Sequence, residues 1–297
     1  ASFMNATKHV VDNMLQSMFT KYEAQCFYGG VGLATVSSVN TSTGVITVTT
    51  AEWAPALWVG AEGMKVDIYD STSVTAHESG VEITAVDLVN RRITVSDASS
   101  VVAGDVIYEK GAKGNEFIGI HKMITATTGN IFGQSVATYS LWRGNTFAVG
   151  GAALTFAKIS EGIAQAVAKG VKGVLTLLVN PATWSDLLTE QVAQRQFHEG
   201  GMSEYSNGAE AIKFYCVNGT VEILANPFVK EGYAYGLDLK SFLRIGSKDI
   251  SFDNPVEPGK FIMPLEGTNA YQILGYTDSA LFCSSLGKNI VFTGIQN

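Results

Sequence analysis

Residues 37–49 read SSVNTSTGVITVT, and residues 84–96 repeat the same pattern as TAVDLVNRRITVS. A second matching pair follows, with WVGAEGMKVDIYD at 58–70 and VVAGDVIYEK at 101–110. In each unit, apolar and polar residues alternate on both sides of a turn, at 41–44 in the first and 90–91 in the second, which is typical of a β-hairpin. A glycine-containing loop and a third strand complete each unit. The repeat therefore predicts that a three-stranded unit is duplicated within residues 31–112.

Three strands alone leave two unpaired edges, whereas six strands close into a barrel without edges. The sequence thus predicts a mainly antiparallel six-stranded β-barrel with strands near 34–40, 45–50, 64–69, 81–87, 92–96 and 106–109. It is interpreted as a self-contained insertion, and its removal is expected to leave a core that still folds.

A single amphipathic helix is predicted before the barrel, at residues 5–28. Apolar residues recur at three- and four-residue steps, and the glycines at 29 and 30 end the pattern. Such a helix is about 35 Å long, which suits a spine better than a small globular domain. The predicted stripe consists of Val11, Met14, Leu15, Met18, Phe19, Tyr22 and Cys26.

The chain after the barrel changes from an irregular, extended segment at 113–153 to an α/β pattern, so the fold class is α+β. Helices are predicted from Thr155, as N-cap, to Lys169 and from Pro181 to about Phe197, on either side of a buried strand at 174–179. The stretch 198–209 has no periodicity and is predicted to be a mobile loop. Further strands are predicted at 212–217, 220–224, 233–237, 242–245, 271–283 and 289–293.

Composition excludes several classes of protein. The net charge is −7 with no basic run, which argues against sequence-specific DNA binding. Three widely spaced cysteines give no disulfide framework and fit synthesis in a reducing cytoplasm. No apolar run approaches the roughly 18 residues that a membrane helix needs, and no signal peptide is visible. Charged residues make up only 16% of the chain, so part of its surface is expected to be covered by neighbours.

Residues with catalytic potential are present without the spacings that catalysis or metal binding requires. Neither an HExxH motif, a nucleophile elbow nor a phosphate loop occurs, so no catalytic, cofactor-binding or metal-binding residue is predicted and the chain is not expected to be an enzyme. His9 and His121 are interpreted as structural, and His77 and His198 as solvated loop residues. Four acids at predicted strand ends are interpreted as solvated loop carboxylates: Asp67, Asp70, Asp97 and Asp105.

Four stretches, taken in order, resemble the tailed-phage coat proteins of the Hong Kong 97-type fold. NMLQSMFTKYEAQCFYGG (13–30) resembles the spine helix of that family, and KGNEFIGIHKM (113–123) the segment after it. LTFAKISEGIAQAVAKGVKGVLTLLVNPATWSDLLTE (154–190) resembles the first helices and strand of the axial domain. TNAYQILGYTDSALFCSSLGKNIVFTGI (268–295) resembles the terminal strands that return to the peripheral domain.

This resemblance implies a domain order of spine helix (1–30), inserted barrel (31–112), extended peripheral segment (113–153), axial α/β domain (154–267) and returning strands (268–297). It implies a major capsid protein whose hexamers and pentamers form an icosahedral shell around double-stranded DNA, without sequence-specific DNA binding or membrane contact. Decoration and portal proteins are possible further partners, and no cofactor is implied. The location would be the virion, after assembly in the cytoplasm of a bacterial host.

No N-terminal arm or extended hairpin is recognised before residue 5. Either those family elements are missing from this chain, or contacts between copies use other residues, such as those of the inserted barrel. Since no such hairpin is recognised, no cross-linking residue is assigned. The loop 198–209 is predicted to lie near the capsomer axis, and the tryptophans are interpreted as core or interface anchors. The predicted interface residues are His198, Glu199, Met202, Tyr205, Trp58 and Trp142.

Two other functions remain open at this point. An encapsulin-like compartment would use the same shell around a cargo enzyme. A phage tail or surface binding protein would use the β-repeat for recognition and form monomers or trimers instead of shells.

Overall fold

The computed structural model describes residues 2–70, 72, 76–195, 212–216, 219–252, 263–265, 267–268 and 271–297. The helices are α1 (Ser2–Tyr28), α2 (Pro55–Trp58), α3 (Ile120–Thr125), α4 (Phe156–Ala168) and α5 (Pro181–Arg195). The first nine strands are β1 (Ala34–Asn40), β2 (Val45–Val48), β3 (Lys65–Tyr69), β4 (Ala76–Asp87), β5 (Arg92–Val95), β6 (Val106–Glu109), β7 (Asn130–Ile131), β8 (Gln134–Ser135) and β9 (Asn145–Ala152). The remaining strands are β10 (Leu175–Val179), β11 (Ile212–Cys216), β12 (Gly219–Ala225), β13 (Tyr233–Leu237), β14 (Phe242–Ser251), β15 (Met263–Pro264), β16 (Tyr271–Gln272), β17 (Tyr276–Cys283) and β18 (Ile290–Ile295).

Strands β1 to β6 form a closed antiparallel barrel in the order β1-β2-β5-β4-β3-β6, which confirms the predicted barrel. The strand pairing also follows the repeat. Val36 pairs with Val48 in the first hairpin, and Ile83 pairs with Val95 in the second, 47 residues later. Both hairpins have a β-bulge immediately after this pair. When β1, β2 and β3 are exchanged with β4, β5 and β6, every pair of neighbouring strands again becomes a pair of neighbouring strands. The barrel therefore has a pseudo-twofold axis.

The two hairpin turns are held by the same hydrogen bonds. The Asn40 side-chain oxygen accepts from the amides of residues 42 and 43, and the Asp87 carboxylate accepts from those of residues 89 and 90. Both turns then require a left-handed residue, which is Gly44 (φ 68°) in the first and Arg91 (φ 55°) in the second. A side chain bearing Cβ is uncommon in this conformation, so Arg91 needs a compensating contact. Its guanidinium forms a two-pronged salt bridge with Glu231, at 2.9 Å for the shortest contact.

A six-stranded mixed sheet forms the second part of the molecule, in the order β11-β12-β10-β13-β18-β9. Its central strand β10 is almost wholly buried, as its continuous apolar sequence predicts. Alternate residues of β18 face two different cores. Ile290 and Phe292 pack with α4 and α5, whereas Val291 packs with the core that contains the end of α1 and the barrel. The sheet therefore separates two hydrophobic cores.

Several predicted elements differ from the observed ones. The segment predicted to be irregular contains α3 and the eight-residue strand β9, which pairs in parallel with β18. The strand predicted at 271–283 is divided into β16 and β17. Strand β18, predicted to return to a peripheral domain, lies inside the six-stranded sheet between β13 and β9. The domain boundaries themselves remain predictions.

The barrel shares its core with the rest of the chain. Trp53 and Trp58 stack at 5.9 Å and belong to the same buried cluster as Val229 and Tyr235. Backbone hydrogen bonds reinforce this junction, because the amides of residues 231 and 232 donate to the carbonyls of residues 53 and 51. Removing 31–112 would delete Trp53 and Trp58 and expose Val229 and Tyr235. The shared core therefore argues against the expectation that the remaining chain folds alone.

The left-handed conformation of Gly44 makes the first hairpin turn sensitive to substitution. We expect Gly44→Ala to lower the free energy of unfolding by about 2 kcal/mol or more, because a left-handed alanine is unfavourable and its Cβ would overlap the Val95 carbonyl oxygen. Gly60→Ala is the matched control, since Gly60 has a similar φ but open space around it. It should cost only roughly 1 kcal/mol. Denaturant titration measures both, and equal losses would contradict the assigned overlap.

Candidate functional site

Helix α1 is the least covered of the long elements. It is about 40 Å long at roughly 1.5 Å per residue, yet among its described side chains (residues 7–28) only Ala24, Phe27 and Tyr28 are buried. Val10 is 63% exposed and Phe19 is 58% exposed. The predicted apolar stripe is therefore wrong at Phe19, which does not lie on the covered side of the helix. A helix usually derives most of its stability from a packed apolar face, so this helix lacks cover over most of its length.

A two-stranded ribbon made of β14 and β17 covers one side of α1. The Arg244 guanidinium lies 4.8 Å from the centre of the Tyr22 ring, and Met18 approaches Gly275 next to the ribbon. Neither ribbon strand pairs with a third strand within the described residues. Leu243 and Ile245 are exposed along β14. A two-stranded ribbon is marginally stable by itself, so exposed apolar residues on it mark a surface suited to a partner.

Two acids of the barrel are buried, contrary to the prediction of solvated carboxylates. Asp67 accepts hydrogen bonds from Ser79 and from the amides of Gly80 and Gly111. These bonds hold the pKa of Asp67 below its usual value despite the opposing effect of burial. Asp105 accepts from the amide of Val102 and lies 2.9 Å from His77 Nδ1. Both acids stabilise turns of the barrel and leave little capacity to bind a ligand.

The remaining predicted polar residues have ordinary structural roles. His77 lies in β4 and not in a solvated loop, and its hydrogen bond to Asp105 raises its pKa. Asp97 and Asp70 each accept from a backbone amide two residues ahead, as in Asx turns. His9 is exposed on α1.

The junction between barrel and sheet is built around Lys230, which is 3% exposed. Its Nζ lies 3.7 Å from Glu52 Oε2 and 4.3 Å from the centre of the Tyr28 ring. Burial lowers the pKa of Lys230, and the charge of Glu52 opposes this shift. The Tyr28 hydroxyl donates to the Phe228 carbonyl and accepts from the Lys230 amide, at 2.8 and 3.0 Å. This set joins α1, the barrel and the sheet, and it carries no arrangement suited to catalysis.

Two of the predicted interface residues fall within the described residues. Trp58 has no exposed surface and belongs to the barrel core, so its predicted place in an interface does not fit the structure. Trp142 is partly exposed and stands next to the strongly exposed Leu141, so it remains a candidate. The other four lie outside the described residues: His198, Glu199, Met202 and Tyr205.

Neither a metal site nor a membrane helix is found in the described part of the chain. No group of three or more His, Cys, Asp or Glu side chains is placed to hold a metal ion there. Among the same residues, no helix has both the length and the hydropathy to cross a bilayer.

Comparison with known proteins identifies no family. No family model matches the chain, and no curated protein does. One of the solved structures that match is the cyanophage A-1(L) capsid asymmetric unit, with 14% sequence identity and a TM-score of 0.43. The match covers 62% of this chain and 61% of that chain, less than two thirds of either. A likeness this weak carries no argument, so fold and function rest on the geometry of the chain itself.

Removing the buried cation should test the junction. We expect Lys230→Ala to lower the free energy of unfolding by about 2 kcal/mol, because it removes a buried cation that contacts Glu52, the Tyr28 ring and the Gly32 carbonyl. The cost is below that of a fully buried pair, since the Glu52 side chain is 26% exposed. Lys213→Ala is the control, since the Lys213–Glu222 pair is at 3.0 Å but the lysine side chain is 65% exposed. That change should cost less than about 1 kcal/mol. Similar losses in urea titrations would contradict the role given to Lys230.

His121 gives the junction a pH dependence of known sign. Burial, aided by the charge of Lys230, lowers its pKa to about 4, and its Nδ1 lies 2.9 Å from the Tyr235 hydroxyl oxygen. His121 is therefore protonated at a lower pH in the folded state than in the unfolded state. The stability that neutral His121 contributes is complete above about pH 6.5. It is lost as the pH falls towards 4, at up to about 1.4 kcal/mol per pH unit.

We expect His121→Gln to remove this part of the acid destabilisation, so that the loss of stability between pH 7 and pH 5 becomes smaller. His9→Gln changes an exposed histidine of α1 and should leave the loss unchanged. Unfolding free energies at the two pH values measure the effect. An equal pH dependence in the wild type and the His121 variant would contradict it.

Proposed function

We propose that this chain is the major capsid protein of a tailed bacteriophage, a subunit that assembles into an icosahedral shell around packaged DNA. The observation that carries the proposal is the exposure of α1. In this helix of 27 residues, the described side chains (7–28) are buried only in the last turns, so that apolar residues such as Val10 and Phe19 are left to be covered. Other copies of the same chain are the covering partner proposed. The low share of charged residues, 16%, agrees with a subunit that hides much of its surface.

The order of elements also supports the proposal through the sequence resemblance. A long first helix, an α/β part and long strands near the end of the chain are the elements that the resemblance to the Hong Kong 97-type coat proteins implies for this chain. In the proposed particle, hexamers and pentamers form the shell, DNA is enclosed without sequence-specific binding, and decoration or portal proteins are further partners. Assembly takes place in the bacterial cytoplasm, the product is a virion component, and the role requires no catalysis.

Two alternatives use other partners. An encapsulin-like shell would contain a cargo protein in place of DNA, and a tail or surface binding protein would form monomers or trimers. Electron microscopy of the purified chain separates shells from small oligomers. Nuclease sensitivity and protein composition of the particle contents then separate a capsid from a compartment.

A variant of α1 tests the covering of the helix. We expect Phe19→Asp to prevent shell assembly, because it places a charge on the apolar surface that a neighbouring copy would cover. Because Phe19 is exposed in the single chain, the substitution should change the free energy of unfolding of the subunit by no more than about 0.5 kcal/mol. Gln16→Asp adds the same charge at an exposed position one turn away without removing apolar surface, and should still assemble. Normal particles from Phe19→Asp, seen by electron microscopy, would contradict the proposal.

A further inference from the structure

Nearly all of the net charge of the chain lies in the barrel. Residues 31–112 contain ten Asp and Glu and four Lys and Arg, which gives −6 of the total of −7. The rest of the chain, more than twice as long, is close to neutral. Charge is therefore separated between two parts of one molecule.

A cluster of cations lies outside the barrel, where α4 ends and the chain enters β9, β14 and β18. Lys169 Nζ donates to the Arg143 carbonyl at 2.7 Å, and the Lys169 side chain runs past Gly287. Lys288 Nζ lies 4.0 Å from Asp238, the residue whose carboxylate also accepts from the amide of Lys240. Asp238 is thus close to Lys288 and to the backbone of Lys240, and Lys169 lies beside Arg143. We call the set the basic corner: Arg143, Lys169, Lys240 and Lys288.

The backbone under the basic corner is fixed by two buried asparagines. Asn145 Nδ2 donates to the carbonyls of Gly287 and Asn289, at 2.7 and 3.0 Å. Asn289 accepts from the Asp238 amide at 2.9 Å and donates to the Ser285 carbonyl at 2.9 Å. Both side chains are almost fully buried. The backbone of the corner is thus already ordered, so binding a partner does not incur the entropy cost of ordering it.

Two leucines give the basic corner an apolar centre. Leu141 is 77% exposed and Leu239 is 56% exposed. They adjoin cations of the corner along the chain, Leu239 directly before Lys240 and Leu141 two residues before Arg143. Exposed leucines with a charged rim are the pattern of a protein interface, where an apolar centre supplies affinity and the rim selects the partner.

The barrel offers a face of opposite charge. Three acids gather around the loop at 96–100: Ser99 donates its amide to Asp97 and its hydroxyl to Glu78, at 3.0 and 3.1 Å. Glu82 is tied to the same loop, because its amide donates to the Ser96 hydroxyl at 3.1 Å. Val102, beyond this loop, is exposed and supplies an apolar contact. We call this set, Glu78, Glu82 and Asp97, the acidic face.

We infer that the basic corner of one copy binds the acidic face of the barrel of a second copy. The inference rests on the proposed function, in that it names a contact by which copies assemble. The two surfaces are different parts of the same chain, so the contact is heterologous, and repetition of such a contact closes a ring when the rotation permits. The barrel would thereby act as the connector between neighbouring subunits. The occupant is a second copy because this chain itself carries the complementary charge.

Charge reversal tests the pairing. The corner variant combines Lys240→Glu with Lys288→Glu, and the barrel variant combines Glu82→Lys with Asp97→Lys. Each should raise the critical concentration for assembly at least about tenfold, because like charges would then meet. A chain carrying all four changes should restore assembly, because opposite charges then meet again at every contact. Light scattering at about 0.15 M salt, where the Debye length is about 8 Å, measures the critical concentration.

The control combines Lys65→Glu with Lys110→Glu, which changes the net charge as much as the corner variant but places the added negative charge beside the acidic face, since Lys65 pairs with Glu82. It should assemble at least as readily as the wild type, whereas a general effect of net charge would impair it as much as the corner variant. Corner and barrel variants that assemble normally would overturn the inference and leave the proposed function standing. Impaired variants that the combined changes fail to restore would overturn this pairing of surfaces. A wild-type chain that forms no particles would overturn both proposals.

Discussion

The whole arrangement depends on the last turn of α1, where Tyr28 joins three parts of the molecule. Its hydroxyl group bridges the Phe228 carbonyl and the Lys230 amide, and its ring lies under the Lys230 ammonium. That ammonium also reaches the Gly32 carbonyl, at the entrance to the barrel, and the carboxylate of Glu52. A charge buried in this way is tolerated only where partners surround it, so the junction fixes the barrel against the sheet.

The position of this junction at one end of α1 explains why the rest of the helix and the ribbon of β14 and β17 expose apolar residues. The barrel, the end of α1 and one face of the sheet share a core, and the other face of the sheet packs with α4 and α5 on a second core. The rest of the helix extends away from that end, supported on one side by a ribbon of two strands. Exposed apolar groups on such elements are costly in water unless a partner covers them. A fold that is rigid at its junction and open along its helix and its ribbon is suited to association with copies of itself.

The sequence predicts the barrel well because its information is local. Alternation, two turn motifs and a repeat predict six strands that close into a mainly antiparallel barrel. The order of the strands and the equivalent bulges are findings of the structure. The sequence does not predict β9, because glycines at 150 and 151 interrupt the pattern and its partner β18 lies about 145 residues later. The burial of Asp67 and Asp105 is equally hidden, since a strand-end acid looks the same whether solvated or hydrogen-bonded. The basic corner has no motif either, because its four cations come from separate segments that β9, β13 and β18 bring together.

Hydrogen–deuterium exchange of the dispersed chain and of the assembled material shows whether other copies cover α1. We expect the amides of residues 8–21 to exchange readily in single subunits, where little covers the helix, and to become strongly protected on assembly. Amides of the barrel core, such as those of Ile46 and Ile93, should be protected in both states. Equal protection of residues 8–21 before and after assembly would show that the helix does not depend on other copies, and would contradict the account.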